Sequence, residues 1–207
     1  MVIKDIKRFS DTRYKARAYI CYLFSRNLPN RLPGVCLENI KAGFDKISHE
    51  IENFDALYIL DENGIQIEDS ISLNEKYKIP KGENRANKAY SYTAVREKRC
   101  VLSDPYPSSL NGGLCVTASV PIYNEKNELK FIACIDISLE NILNMVDSGF
   151  VEEHFGRFLK KNYLVIKKNI YIRSTNQHYY TINRLLEKEK ADRFFFIKST
   201  ACTTIWF

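Results

Sequence analysis

Between Leu37 and Leu60 the chain changes its hydrophobic period, and that change constrains the fold more than any other feature. Leu37, Ile40, Phe44, Ile47, Ile51 and Phe54 recur at spacings of 3, 4, 3, 4 and 3, the seam of an amphipathic helix. After Asp55 the pattern turns to β: ALYILD, the turn ENG, then IQIEDS, with Asn63-Gly64 supplying the positive φ of a tight hairpin. The seam spans under three heptads, which one face packed on a core satisfies; a dimer seam is the alternative.

The flanking segments extend the pattern. Ile6, Phe9, Arg13, Ala16, Ile20 and Leu23 form a stripe that predicts a first helix ending near Asn27, where NLPNRLPG brings two prolines and Gly34. Beyond Ile71 a polar stretch holds a predicted short helix from about Asn87 to Arg96. Three β-type runs follow, CVLSDP, LCVTASVPIYN and LKFIACIDISL, and then a helix from Ser138 to about Val146, capped by Ser138. Helices first, then a hairpin and antiparallel strands around a helical insert, is an α+β order and not a βαβ alternation. The predicted unit is 1–147, with a basic N-terminal helix (1–33), a second helix (34–54) and a sheet with its pocket (55–147). Residues 148–207 read as an irregular basic appendage.

Composition narrows the functional classes. The net charge of +6 divides into +6 over residues 1–33, −6 over 34–147 and +6 over 148–207, so the basic excess sits at the two ends. No run reaches the ~18–20 apolar residues of a membrane-spanning helix, and the charged N-terminus is no secretory leader, so the expectation is cytoplasmic with peripheral membrane association open. The six cysteines form no C-x-x-C and mostly have apolar neighbours, which predicts reduced, packed thiols. Only His49, His154 and His178 are available to a catalytic triad, and no P-loop, G-x-G-x-x-G or H-E-x-x-H occurs. No enzyme, cofactor, metal site or specific nucleic-acid partner is expected.

The informative residues lie between Arg85 and Asp136. Arg85, Lys88, Tyr90, Tyr92, Tyr106, Ser108, Thr117, Ser119 and Asp136 form a polar and aromatic set within otherwise apolar strands and the insert. An acid inside FIACIDI is costly to bury unless it meets a cation or hydrogen-bond donors, which makes Asp136 the leading binding residue; a buried pairing with Arg85 or Lys88, or a strand-end cap, is the structural alternative. Arg85 and Lys88 are suited to clamp a carboxylate.

The stretch from Gly82 to Leu143, with its Arg- and Tyr-bearing insert, SDPY, TASVPIY and closing IDISL, resembles the second half of a Cache, or PDC-type, sensor domain. The resemblance implies a PAS-like antiparallel sheet with the long N-terminal helices on one side and a ligand held between sheet and insert. In amino-acid-binding members an Arg before an aromatic pair grips the carboxylate, while a Tyr-x-Asp and the closing-strand Asp grip the amine. Here Lys88 stands at the Arg position, Tyr90 and Ser91 at the aromatic pair, Tyr106 and Ser108 at the Tyr and Asp, and Asp136 at the closing Asp. Half the amine site is thus replaced, leaving a carboxylate, amine or amino-acid-like metabolite as ligand.

The implied function is a small-molecule sensor domain in signal transduction, bacterial in type, with a possible homodimer through the N-terminal helices and an unknown downstream partner that is either a separate chain or absent. A PAS-like interaction module without a ligand is the first alternative. A peripheral binder of membrane or nucleic acid through the basic ends is the second.

Overall fold

Proline and glycine punctuation at 28–34 separates two helices as the sequence predicts. The computed structural model describes residues 2–51, 53–110, 112–148, 196–197 and 205–206. Helix α1 runs Val2–Asn27 and α2 Leu37–Glu50. Ile40, Phe44 and Ile47 of the seam are at most 1% exposed within this one chain, so the seam is a core face and not a dimer seam. A Cβ on Gly43 would stand 2.5 Å from the Asn27 carbonyl oxygen, so glycine there lets α2 pack against the end of α1. Helix α2 stops short of the expected Phe54. Ile51 is already extended, and the Asp55 amide bonds the Asp136 carbonyl at 2.8 Å, drawing the connection into the sheet.

The sheet comprises β1 (Ala56–Leu60), β2 (Val101–Leu102), β3 (Tyr106–Pro107), β4 (Leu114–Tyr123) and β5 (Leu129–Ser138). Its order is β1-β5-β4-β2 with β3 also on β4, every pairing antiparallel. Ala56 pairs with Asp136, Tyr58 with Cys134, and Thr117 with Asp136, so side-chain alternation sets these on one face. That face, with Leu60 and Ile132, packs against Ile79 and Tyr90 of the insert. The insert carries α3 (Ala89–Glu97), and α4 (Leu139–Asp147) follows β5, with Ser138 Oγ accepting the Asn141 amide at 3.2 Å. Helices α1 and α4 contact β4, α4 also contacts β5, and α1 lies against both α2 and α4.

Two local expectations change. The Asn63-Gly64 turn forms, closed by Asp61 Oδ1 accepting from the Asn63 and Ile65 amides, but its second arm makes only isolated bridges and no strand. Its backbone is diverted to the insert: the Gln66 amide bonds the Glu83 carbonyl and the Arg85 amide the Gly64 carbonyl, each at 2.9 Å. The thiols are also not all reduced. Cys21 of α1 and Cys100, just before β2, form a disulfide with Cα atoms 5.7 Å apart, a pairing that sequence spacing does not carry because 79 residues separate the two. Cys115 and Cys134 are buried free thiols and Cys36 is half-buried.

Among the described residues no helix is long and apolar enough to cross a membrane. The chain divides into two units, Met1–Glu153 and His154–Phe207. In the second, β6 (Phe196–Ile197) pairs antiparallel with β7 (Ile205–Trp206). The expectation of an irregular appendage otherwise lies outside the described residues.

Candidate functional site

The buried face of the sheet carries a carboxylate where an aliphatic strand would ordinarily be dry. Asp136 is 3% exposed, and its Oδ1 accepts from Thr117 Oγ1 at 2.6 Å and from Tyr58 Oη at 3.0 Å. Each hydroxyl has one proton to give, and an ionised carboxylate only accepts. Tyr58 Oη, 3.0 Å from Tyr90 Oη, therefore takes its own bond from Tyr90, and Tyr90 in turn accepts from Arg85 Nη1 at 3.0 Å. On the other side Tyr106 Oη stands 2.5 Å from Thr117 Oγ1 and gives it a proton. Arg85 and Asp136 are thus linked through Tyr90 and Tyr58, and the Tyr90 and Tyr106 rings stack with centroids 6.0 Å apart.

The electrostatics follow from burial. Desolvation pushes the Asp136 carboxyl up to about 6, against the opposing effects of the Thr117 bond, the Arg85 charge and the Tyr58 bond. Burial also raises Tyr58, Tyr90 and Tyr106 above the usual phenol range, so all three remain protonated donors at neutral pH. For Arg85 burial works against the charge, but Tyr58, Tyr90 and Asp136 outweigh it and its pKa is raised. A cation and an anion held at two ends of one hydroxyl chain can recognise a small molecule carrying charge or hydrogen-bonding groups.

Of the nine residues singled out in the sequence, Arg85, Tyr90, Tyr106, Thr117 and Asp136 come together here. Ser119 is buried nearby and accepts from Cys134 Sγ at 3.4 Å. Ser108 closes a turn, its amide bonding the Gly113 carbonyl at 2.7 Å and its Oγ accepting the Leu110 amide. Lys88 is exposed at the N-cap of α3, and Tyr92 is 61% exposed beneath the Arg96 guanidinium. Sequence reasoning missed Tyr58, the hub of the chain. The available signal was a hydroxyl-bearing side chain at the centre of the otherwise aliphatic ALYIL. Asp55 was missed too; it is 6% exposed, its Oδ2 lacks a partner among the described residues, and burial raises its pKa.

Residues 33–144 match the family described as methyl-accepting chemotaxis protein-like, first PDC sensor domain. The chain belongs to that family. It is a PDC sensor domain, and the two features that define the site, the closing-strand Asp136 and the insert with Arg85 and Tyr90, lie within the matched residues. Among solved structures it is similar to the ligand-binding domain of the Campylobacter jejuni chemoreceptor Tlp3 in complex with 4-methylisoleucine. That likeness has 18% identity and a TM-score of 0.50, over 69% of this chain and 57% of that one. It is also similar to the ligand-binding domain of the Pseudomonas aeruginosa amino acid chemoreceptor PctC in complex with GABA, at 17% identity and a TM-score of 0.48, over 70% of this chain and 63% of that one. The present chain spans a little over half the length of the Tlp3 structure. No curated protein matches the chain.

Proposed function

We propose that this PDC sensor domain binds a small amino-acid-like metabolite between the sheet and the insert, with Asp136, Tyr58, Tyr90, Tyr106, Thr117 and Arg85 as its contacts. The carrying observation is the buried Arg85–Tyr90–Tyr58–Asp136 chain, in which two opposite charges are held beneath one short helix. The Tlp3 structure, solved with 4-methylisoleucine, supports the amino-acid-like ligand class. Binding is a signal input here and no reaction is assigned to it. Helix α1 is the natural output element, because the Cys21–Cys100 disulfide and the Arg13 bonds to Asp104 and to the Leu102 carbonyl fasten it to the segment leading to Tyr106. The disulfide favours an oxidising compartment over the cytoplasmic one expected from the sequence. Exposed Ile3 and Ile6 on α1 support self-association through that helix.

A thermal-shift screen of amino acids, ω-amino acids, amines and carboxylates tests the reading. At least one compound raises the melting temperature of the wild type and fails to do so with D136N. A flat response across the panel favours the ligand-free interaction module.

A further inference from the structure

The Cys21–Cys100 bridge lies where α1 meets the edge of the site. Cys21 is in the last two turns of α1, and Cys100 stands between the end of α3 at Glu97 and the start of β2 at Val101. Three residues after Cys100, Ser103 Oγ accepts the Thr117 amide at 2.9 Å, and the Ser103 amide bonds the Thr117 carbonyl at 2.9 Å. Thr117 in turn gives its hydroxyl proton to Asp136. On the other side Lys98 ends α3 in a left-handed conformation, φ 52°, which a non-glycine residue holds at a cost. The bridge thus ties α1 to one short segment that both ends the pocket helix and anchors the hydroxyl partner of the carboxylate.

The bridge is also set apart from the free thiols. Cys115 and Cys134 are at most 1% exposed and burial raises the pKa of both, which keeps them inert. Cys21 and Cys100 are half-buried. Exposed Arg17 lies one turn before Cys21 on the same face of α1, and exposed Lys98 and Arg99 precede Cys100, Arg99 also pairing with Glu97 at 2.5 Å. Cations beside an accessible bridge draw in an anionic thiolate and stabilise the cysteine thiolate that leaves. Helix α1 does not need the bridge for its seat, because Ile20, Leu23 and Phe24 around Cys21 are at most 1% exposed. Opening the bridge therefore frees the segment 98–104 and leaves the helix in the core.

We propose that the Cys21–Cys100 bridge is an exchange site for small anionic thiols, and that opening it loosens the hydroxyl anchor of Asp136, so that the domain reads the surrounding thiol–disulfide balance as an input of its own. One small thiolate attacks a bridge sulfur; the S–S bond breaks, a mixed disulfide forms and one cysteine leaves as thiolate. A second thiolate attacks the mixed disulfide and releases the other cysteine. The two small thiols depart as one disulfide, two electrons pass to the protein, and the two protons they carried end on Cys21 and Cys100. A small disulfide closes the bridge by the reverse steps. The exchange depends on the geometry of the buried chain and on no bound ligand.

The test equilibrates the full chain with reduced and oxidised glutathione at a series of ratios, labels the native protein with iodoacetamide and maps the label by peptide mass. In parallel, NMR follows the Asp136 side-chain carboxyl, identified by its loss in D136N. Cys21 and Cys100 are expected to label together as the reduced fraction rises, with Cys115 and Cys134 at least about tenfold slower. The Asp136 signal shifts in step with that labelling, and C21S/C100S shows the shifted position with or without glutathione. R17Q/K98Q slows opening by glutathione and leaves opening by the neutral thiol β-mercaptoethanol unchanged. If C21S/C100S does not fold, the wild-type series decides. A bridge that opens only when Cys115 and Cys134 label with it is opened by unfolding, and an Asp136 signal that stays in place while Cys21 and Cys100 label removes the input. Either result overturns the proposal and leaves the pocket reading to the thermal-shift panel, whose silence would leave the exchange site standing.

Discussion

The Arg85 guanidinium carbon stands 4.8 Å from the centre of the Tyr58 ring, a cation from the insert laid on an aromatic face of the first strand. Such a contact contributes about 1–2 kcal/mol when it is desolvated. Here it does more, because the Tyr58 hydroxyl is the group that reaches Asp136. Insert and sheet are therefore joined at the same residue by a ring contact and a hydrogen-bonded chain.

Asp136 makes stability depend on pH. Its folded pKa, near 6, lies above the ordinary 3.8, so the folded state holds the proton more tightly than the unfolded one. The resulting stabilisation is complete below about pH 4 and is lost as pH rises through 6. A shift of this size corresponds to at most about 3 kcal/mol. Asp55, raised in the same direction, adds to the slope. Urea melts of the wild type and D136N between pH 4 and 7.5 should diverge in slope, the variant being the flatter; parallel curves would refute the assignment.

Y58F removes the hydroxyl between Tyr90 and Asp136 while keeping the ring under Arg85. Because the Tyr58 bond lowers the Asp136 pKa, its loss should raise that pKa further, and the unpaired groups should cost about 1–3 kcal/mol. Carboxyl NMR titration of Asp136 and denaturant melts measure the two effects. An unchanged Asp136 titration rules out the chain as drawn.

G64A tests how the insert is seated. Gly64 has φ +78° and no room for a Cβ beside the Ala86 backbone, so the substitution should destabilise by about 1–3 kcal/mol. It should also weaken ligand binding, since Arg85 moves with the strand of chain that Ala86 belongs to. Full binding in a folded G64A protein would separate the turn from the site.

Replacing Cys21 and Cys100 together by serine opens a cross-link spanning 79 residues, for which loop entropy predicts a loss of about 4.5 kcal/mol. Reductant should reproduce the drop in melting temperature in the wild type and leave the double variant unaffected. A wild type indifferent to reductant argues that the thiols are not paired.

Much of the fold is legible in local chemistry. The seam Ile40, Phe44 and Ile47 marks the core face of α2, Ser138 caps α4, and the runs around Cys115 and Cys134 form the two long strands, because each depends on periodicity or on contacts a few residues apart. Asp136, Tyr90 and Arg85 are legible as well, since charge and hydroxyls stand out in apolar context. Tyr58 is not, because a tyrosine in a strand is as readily core filler as hub, and only the register that sets it beside Cys134 brings its hydroxyl to Asp136.

The amino-acid sequence by itself determined the α+β order, the two N-terminal helices, the antiparallel strands and the buried acid, all of them products of spacing and side-chain polarity. The tertiary structure decided which polar groups meet. It paired Cys21 with Cys100, turned Lys88 out to solvent, diverted the arm after Gly64 to hold the insert, and set Arg85 on Tyr58. Those outcomes depend on contacts between residues distant in the chain, whose energies exist only once the sheet and the insert have closed on each other.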